Sequence, residues 1–114
     1  MSNARSWAST LAIGTVLSTV LSVHAADDIA ARKVAKANNC FRCHAVEREK
    51  NGPAWSAIGA KYKLKPNGEE KLMTHLTSAP KIKLLEEGTE EEHKIVKFRD
   101  KGELQNLVQW ILSL

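Results

Sequence analysis

Residues Cys40-Phe41-Arg42-Cys43-His44 decide how this sequence of 114 residues is interpreted. Two thiols three positions apart can each add to one vinyl group at the edge of a porphyrin, and the imidazole that follows can then bind the iron. Cys40 and Cys43 are the only cysteines in the chain, so this use accounts for both thiols. The pentapeptide therefore predicts one covalently attached haem c, with His44 as the proximal axial ligand.

Two other uses of the cysteines fit the sequence less well. A thioredoxin-like redox site needs a βαβ context, and no strand-rich segment precedes Cys40. A zinc finger needs a close pair of histidines, whereas His75 and His93 lie 18 residues apart.

The first 25 residues have the features of an export signal. Arg5 precedes a largely apolar run, and Val23 and Ala25 provide small residues for signal-peptidase cleavage. Serines and threonines interrupt the run, which falls short of the roughly 20 strongly apolar residues of a membrane span. We expect cleavage after Ala25, a single mature domain of residues 26–114 in the periplasm, and no stable membrane insertion after processing. An uncleaved anchor is the alternative.

The charge of the chain is mild but unevenly distributed. The sequence has 17 basic and 13 acidic residues, and loss of Arg5 with the leader lowers the net charge from +4 to +3. The sequence has no basic stripe interleaved with aromatic residues, so it does not predict a nucleic-acid partner. Lysines cluster in residues 61–65 and 81–83, and glutamates cluster in residues 86–92. Such runs are usually solvated surface, although lysines around a haem edge can also attract an acidic redox partner.

The mature chain predicts an all-α fold, since helical signals recur and no strand is indicated. Each predicted helix combines a start signal with apolar residues at helical spacing. The first predicted helix runs from Asp27 or Asp28 to about Asn39, with Ile29, Ala30, Val34 and Ala37 buried, and the second runs from Pro53 through Ile58 to Tyr62. The third begins at Asn67 or Gly68 and buries Leu72, Met73 and Leu76. The last is capped by Asp100 and buries Leu104, Leu107, Val108 and Ile111.

Between the third and fourth helices, residues 77–99 are charged and irregular, with Pro80 and Gly88. A loop of this length in a small domain usually has a function. In a haem protein it can bring the second axial ligand to the iron.

With these features in place, the mature chain resembles class I cytochromes c, the small bacterial monohaem type. The resemblance rests on residues 40–44, on Gly52-Pro53-Ala54 followed by Ile58 and Lys61-Tyr62, and on Trp110-Ile111-Leu112-Ser113 at the end of the last helix. It implies about four helices wrapped around one haem, with the first and last helices packed across each other.

The resemblance also implies roles for three residues near the haem. The carbonyl of Pro53 would accept a hydrogen bond from the proximal imidazole, unless Pro53 only starts a helix. Trp55 would pack against the haem or bond a propionate, with ordinary core packing as the alternative. His75 would hydrogen-bond a propionate, with a surface histidine as the alternative.

The chain departs from the family at the second axial ligand. Class I cytochromes c usually place a methionine in the segment before the last helix, but here no methionine follows Met73. His93 lies 17 residues ahead of Trp110, in the corresponding stretch. We therefore expect His93 to replace the methionine and give bis-histidine iron. Met73, which also fits a core position, and an open site are the alternatives.

These ligands predict an electron carrier, not an enzyme. With both axial positions filled by protein, the iron would exchange single electrons with redox partner proteins, a donor and an acceptor that the sequence does not identify. A weak or absent distal ligand would instead favour a haem protein that binds or senses small ligands. The chain could also be the cytochrome subunit of a periplasmic dehydrogenase. Nothing in the sequence demands an oligomer, so a monomer is expected.

Overall fold

The computed structural model describes Gly14 and residues 25–114. The predicted leader therefore lies almost entirely outside the described residues. The described chain contains four α-helices, a short 3₁₀ turn at Cys40–Arg42 and a small antiparallel hairpin, which confirms the predicted all-α class. The elements are α1 (Asp28–Ala37), α2 (Trp55–Lys63), α3 (Gly68–Thr77), β1 (Lys81–Lys83), β2 (Glu90–Glu92) and α4 (Lys101–Ser113).

Aspartates cap the first and last helices as predicted. The side chain of Asp27 accepts from the amide of Ala30 at 3.0 Å, and that of Asp100 accepts from the amide of Glu103 at 2.9 Å. The carboxylate of Glu103 accepts from the amide of Arg99, one residue before the cap. Each cap therefore satisfies amides that have no partner within the helix.

Helix α4 is the centre of the core, because α1, α2 and α3 all pack against it. Its apolar stripe is buried as predicted, and Trp110 is only 2% exposed. The indole N–H of Trp110 donates to Asp28 at 2.5 Å, which ties the end of α4 to the start of α1. The first and last helices thus hold each other in place. The buried residues of α4 are Leu104, Leu107, Val108, Trp110 and Ile111.

The predicted buried side of α1 is partly wrong. Ala31, Val34 and Ala35 are buried, whereas Ile29 is 80% exposed and Ala37 is also exposed. The buried residues are spaced three and four apart, so they form one stripe on the helix. Since two of them are alanines, α1 approaches α4 closely through small side chains rather than through its largest apolar residue.

Helix α2 begins two residues later than predicted, at Trp55. Pro53 is exposed and precedes the helix, so it does not serve as its first residue. Within α2, Gly59 is buried against α4, and a Cβ atom there would collide with the carbonyl of Ile111. The glycine therefore allows the two helices to approach.

The segment predicted to be irregular contains two short strands, which the sequence did not indicate. Strands β1 and β2 pair antiparallel, with Lys81 opposite Glu92 and Lys83 opposite Glu90. The second lysine cluster and the end of the glutamate run therefore face each other across the hairpin, where opposite charges favour pairing. Gly88 has φ of +74° in the connecting turn, a conformation that favours glycine.

None of the helices in the described part of the chain is both long enough and apolar enough to cross a membrane.

Candidate haem site

The Cys40–His44 segment is coiled into one tight turn. Asn39 follows the C-cap of α1 at Asn38 and takes a left-handed conformation (φ 58°) before the 3₁₀ turn. The amides of Cys43 and His44 both donate to the carbonyl of Cys40, at 3.1 and 3.0 Å. Residues i, i+3 and i+4 of a helical turn share one face, so the turn places both thiols and the imidazole on the same side.

That face opens on a cavity of about 710 Å³. The volume is in the range of cofactor pockets, and most of its walls are apolar. Cys40, Cys43 and His44 line one part of it, and both cysteines are unpaired and half-buried. The apolar lining includes Trp55, Ile58, Leu72, Leu76, Ile82, Leu85, Leu107 and Ile111.

The His44 ring is held by the loop that follows the motif. Its Nδ1 lies 2.8 Å from the carbonyl oxygen of Pro53. A carbonyl can only accept, so Nδ1 carries the proton and Nε2 keeps its lone pair in the neutral ring. Burial lowers the pKa of His44, although the Pro53 carbonyl opposes the shift. Burial favours the neutral ring and the hydrogen bond to Pro53 orients it, and a neutral imidazole is the form that binds a metal.

His93 lies across the cavity from His44. Its amide donates to the carbonyl of Pro80 at 2.8 Å, and its Nδ1 lies 2.9 Å from the carbonyl oxygen of Lys94. Three residues later, the amide of Val96 donates to the carbonyl of Leu76. These bonds fix the segment at the end of α3 and leave Nε2 of His93 as the free ring nitrogen.

The spacing of the two rings fits one metal ion between them. The ring centroids of His44 and His93 are 6.2 Å apart. An imidazole nitrogen bonds a transition-metal ion at about 2.0–2.1 Å and lies about 1.1 Å from the ring centre, so two opposed imidazoles have centroids about 6.3 Å apart. The pair therefore has the separation that bis-histidine iron requires.

Of three further predicted site residues, two line the cavity and one does not. His75 lines the same cavity, its ring centroid lies 4.7 Å from that of His93, and burial lowers its pKa. Trp55 is 3% exposed, with its ring 5.9 Å from that of His44 and its edge against Trp110. Met73 packs against the core cluster and does not line the cavity.

Burial around the motif favours the neutral form of the Cys40 thiol. Burial raises the pKa of the Cys40 thiol, and the positive charge of Lys94 partly opposes the shift. The ammonium of Lys50 donates to the carbonyl of Phe41 at 2.7 Å, which fastens the loop after the motif back onto it. No group of three or more histidine, cysteine or acidic side chains in residues 25–114 could hold a metal ion by itself.

Sequence inspection missed Asn51 and the hairpin. Asn51 bonds three successive residues of the hairpin turn, Leu85, Glu86 and Glu87. The repeated Lys-x-Lys and Glu-x-Glu spacing on either side of Gly88 was the available signal for the hairpin. The role of Asn51 had no local signal, because its partners lie more than 30 residues away.

Comparison with known proteins identifies the family. The family model described as cytochrome c matches residues 29–114, which is most of the chain. The crystal structure of the class 1 cytochrome MtoD from Sideroxydans lithotrophicus ES-1 shares 44% sequence identity with a TM-score of 0.72, covering 78% of this chain and 97% of that one. Wild-type Nitrosomonas europaea cytochrome c552 shares 28% identity with a TM-score of 0.56, covering 73% and 98%. None of the curated proteins matches the chain.

The chain belongs to the cytochrome c family, as its resemblance to the class I members predicts. It therefore carries one covalently attached haem c with its iron. A haem iron supplies one-electron redox chemistry, and its protein ligands set its potential.

Proposed function

We propose that this protein is an exported one-electron carrier whose haem iron is held between His44 and His93. The observation that carries the proposal is that the imidazole rings of His44 and His93 line the same cavity with their centroids 6.2 Å apart. Each ring uses Nδ1 for a backbone carbonyl, so each has only Nε2 to offer the iron. Pro53 and Lys94 thus orient the two ligands.

Cys40 and Cys43 are the residues that attach the haem. Their side chains share one face of the turn with His44 and line the same cavity. Thioether bonds from both sulfurs would hold one edge of the macrocycle next to the proximal ligand. Trp55 supports the proximal side, since its ring is nearly parallel to that of His44, with an interplanar angle of 24°.

Two protein ligands favour electron transfer over the binding of small molecules. With His44 and His93 both bound to the iron, no position would be free for a substrate, so the haem would supply one-electron transfer only. Imidazole in place of methionine stabilises the ferric state and lowers the reduction potential. The protein would therefore carry electrons at a lower potential than a histidine–methionine cytochrome and catalyse no bond formation itself.

The contacts at the start of the described domain fit cleavage after Ala25. Ala25 is exposed, whereas Ala26 packs against the core and the amide of Asp27 donates to Asn106. A mature chain that starts at Ala26 would keep every one of these contacts. We propose that residues 1–25 are removed on export and that the carrier acts as a monomer between redox partners in the periplasm. The intact mass of the purified protein should equal residues 26–114 plus one haem.

The ligand assignment is tested by the spectra of the oxidised protein and three variants. Wild-type protein should be low-spin by paramagnetic resonance and lack the weak near-infrared sulfur-to-iron band. His93→Ala should become high-spin, because the substitution removes the imidazole whose ring lies 6.2 Å from that of His44 in the same cavity. His75→Ala is the matched control, since it removes a neighbouring imidazole from the same cavity, and Met73→Leu removes the remaining sulfur candidate.

Each alternative set of spectra would indicate a different distal ligand. A sulfur band that Met73→Leu abolishes would make Met73 the ligand. Low-spin iron that survives in His93→Ala and is lost in His75→Ala would make His75 the ligand. High-spin iron in the wild-type protein would favour a haem protein that binds external ligands.

A further inference from the structure

Asn51 connects the loop on the proximal side of the cavity with the hairpin on the distal side. Its Oδ1 accepts from the amides of Glu86 and Glu87 at 3.2 and 3.3 Å, and its Nδ2 donates to the Glu87 carboxylate at 2.9 Å. Its own carbonyl accepts from the amide of Leu85 at 2.9 Å. One half-buried residue therefore binds three successive residues of the hairpin turn.

The residues beside Asn51 are fixed to the haem-attachment motif. The amide of Gly52 donates to the carbonyl of Cys43 at 2.7 Å, and the carbonyl of Pro53 accepts from His44. Lys50 reaches back to the carbonyl of Phe41. Asn51 is thus part of the loop that orients the proximal imidazole.

On the other side, the hairpin leads directly to His93. Leu84 and Thr89 close the turn through a 2.8 Å bond, and the strands run in register back to Lys81 and Glu92. The next residue, His93, is bound to Pro80 at the base of β1. A displacement of the turn would therefore be transmitted along the paired strands to the distal imidazole.

The hairpin has few other attachments in residues 25–114. Its strands pair with each other and have no described helix as a close backbone neighbour. Leu84 is buried, and Ile82 and Leu85 face the cavity. The bonds to Asn51 are therefore the principal polar attachment between the hairpin turn and the rest of the domain.

We infer that Asn51 is a positioning residue that holds His93 on the distal side, so that its loss makes the distal ligand easier to displace. The inference rests on the proposed function, in which His93 binds the iron. A neutral hydrogen bond contributes a factor of roughly 2 to 12 to an equilibrium. Losing the two bonds from the backbone amides should therefore raise the population of ligand-free iron by about tenfold.

The test is a cyanide titration of the oxidised, haem-loaded mature protein, followed by its absorption spectrum. Cyanide binds only when the distal ligand has left, so its apparent affinity reports the open fraction. Asn51→Ala should bind cyanide about ten times more tightly than wild type. Glu87→Ala removes only one of the three hydrogen bonds of the Asn51 side chain, an exposed one, and should increase the affinity less than Asn51→Ala does.

Asn106→Ala is the matched control for a general loss of stability. Asn106 also makes two hydrogen bonds across the fold, both to Asp27, but it does not line the cavity. Its variant should keep the wild-type cyanide affinity. An Asn51→Ala protein with wild-type affinity, or an Asn106→Ala protein with an equal increase, would overturn the inference.

A second measurement covers the case in which Asn51→Ala does not assemble. Coupling between two sites is reciprocal, so removing the distal ligand should loosen the turn. Amide hydrogen exchange at Glu86 and Glu87 should therefore be faster in His93→Ala than in wild type. Unchanged exchange in a His93→Ala protein that has become high-spin overturns the role of Asn51 alone. A His93→Ala protein that keeps the wild-type spectrum overturns the proposed ligation itself.

Discussion

Gly52→Ala is the substitution that tests the proximal side most sharply. A Cβ atom at residue 52 would lie 2.5 Å from Cε1, 2.8 Å from Nδ1 and 3.0 Å from Nε2 of His44. The first distance is 0.9 Å short of the 3.4 Å at which ordinary contact begins. The ring and the loop must therefore separate, and both are held by hydrogen bonds.

Movement of either the ring or the loop destabilises the folded protein. If the ring turns away, it loses its bond to Pro53; if the loop moves, the 2.7 Å bond from the amide of Gly52 to Cys43 breaks. Overpacking of this kind typically costs about 1–3 kcal/mol. We expect Gly52→Ala to lower the free energy of unfolding of the haem-loaded protein by that amount and to alter the spectrum of the iron.

Denaturant unfolding followed by Trp fluorescence measures the first effect, and the oxidised absorption spectrum measures the second. Gly102→Ala is the control, because a Cβ atom there would meet only the Asp100 carboxylate at 3.2 Å. Alanine is the better helix former, but the Asp100 carboxylate must shift by a few tenths of an ångström, so this control should stay within about 1 kcal/mol of wild type. A Gly52→Ala protein within about 0.5 kcal/mol of wild type, with an unchanged spectrum, would refute the reasoning.

Three further substitutions test how the fold supports the site, each by denaturant unfolding of the haem-loaded protein. Asn38→Ala should lower the free energy of unfolding by about 1–3 kcal/mol, because the buried side-chain amide of Asn38 bonds both the N–H and the carbonyl of Lys97 and the substitution removes both bonds. A loss under about 0.5 kcal/mol would contradict this. Asp100→Ala should cost about 1 kcal/mol by removing the cap of α4, whereas Asp100→Asn should retain most of the stability. Trp110→Phe should cost about 1–3 kcal/mol, because it removes the indole N–H that donates to Asp28. Asp28→Asn in the wild-type background keeps an oxygen acceptor and should cost less; equal stability of Trp110→Phe and wild type would exclude the bond as a contributor.

Local signals predicted the parts of the fold that depend on short sequence distances. The caps at Asp27 and Asp100 and the stripe of α4 were correct, because capping and helical spacing are set within a few residues. The haem motif was equally local. The start of α2 was misplaced because Pro53 suits the first turn of a helix, but here its carbonyl is used by His44.

Features that depend on tertiary contacts were missed. The buried face of α1 is chosen by its close approach to α4, so the alanines, not Ile29, are covered. The hairpin has strands of three residues, too short to give a period-2 pattern, and its turn is held by Asn51 from a distant part of the chain. Position along the chain made His93 a ligand candidate, but only the fold places its ring opposite that of His44.

The crystal structure of the haem-loaded mature protein would test the central claim most directly. If the iron is held by two imidazoles, Nε2 of His44 and Nε2 of His93 should both lie about 2 Å from it, the usual bond length from an imidazole nitrogen to a transition-metal ion. A methionine sulfur, a water molecule or an empty position opposite His44 would contradict bis-histidine ligation.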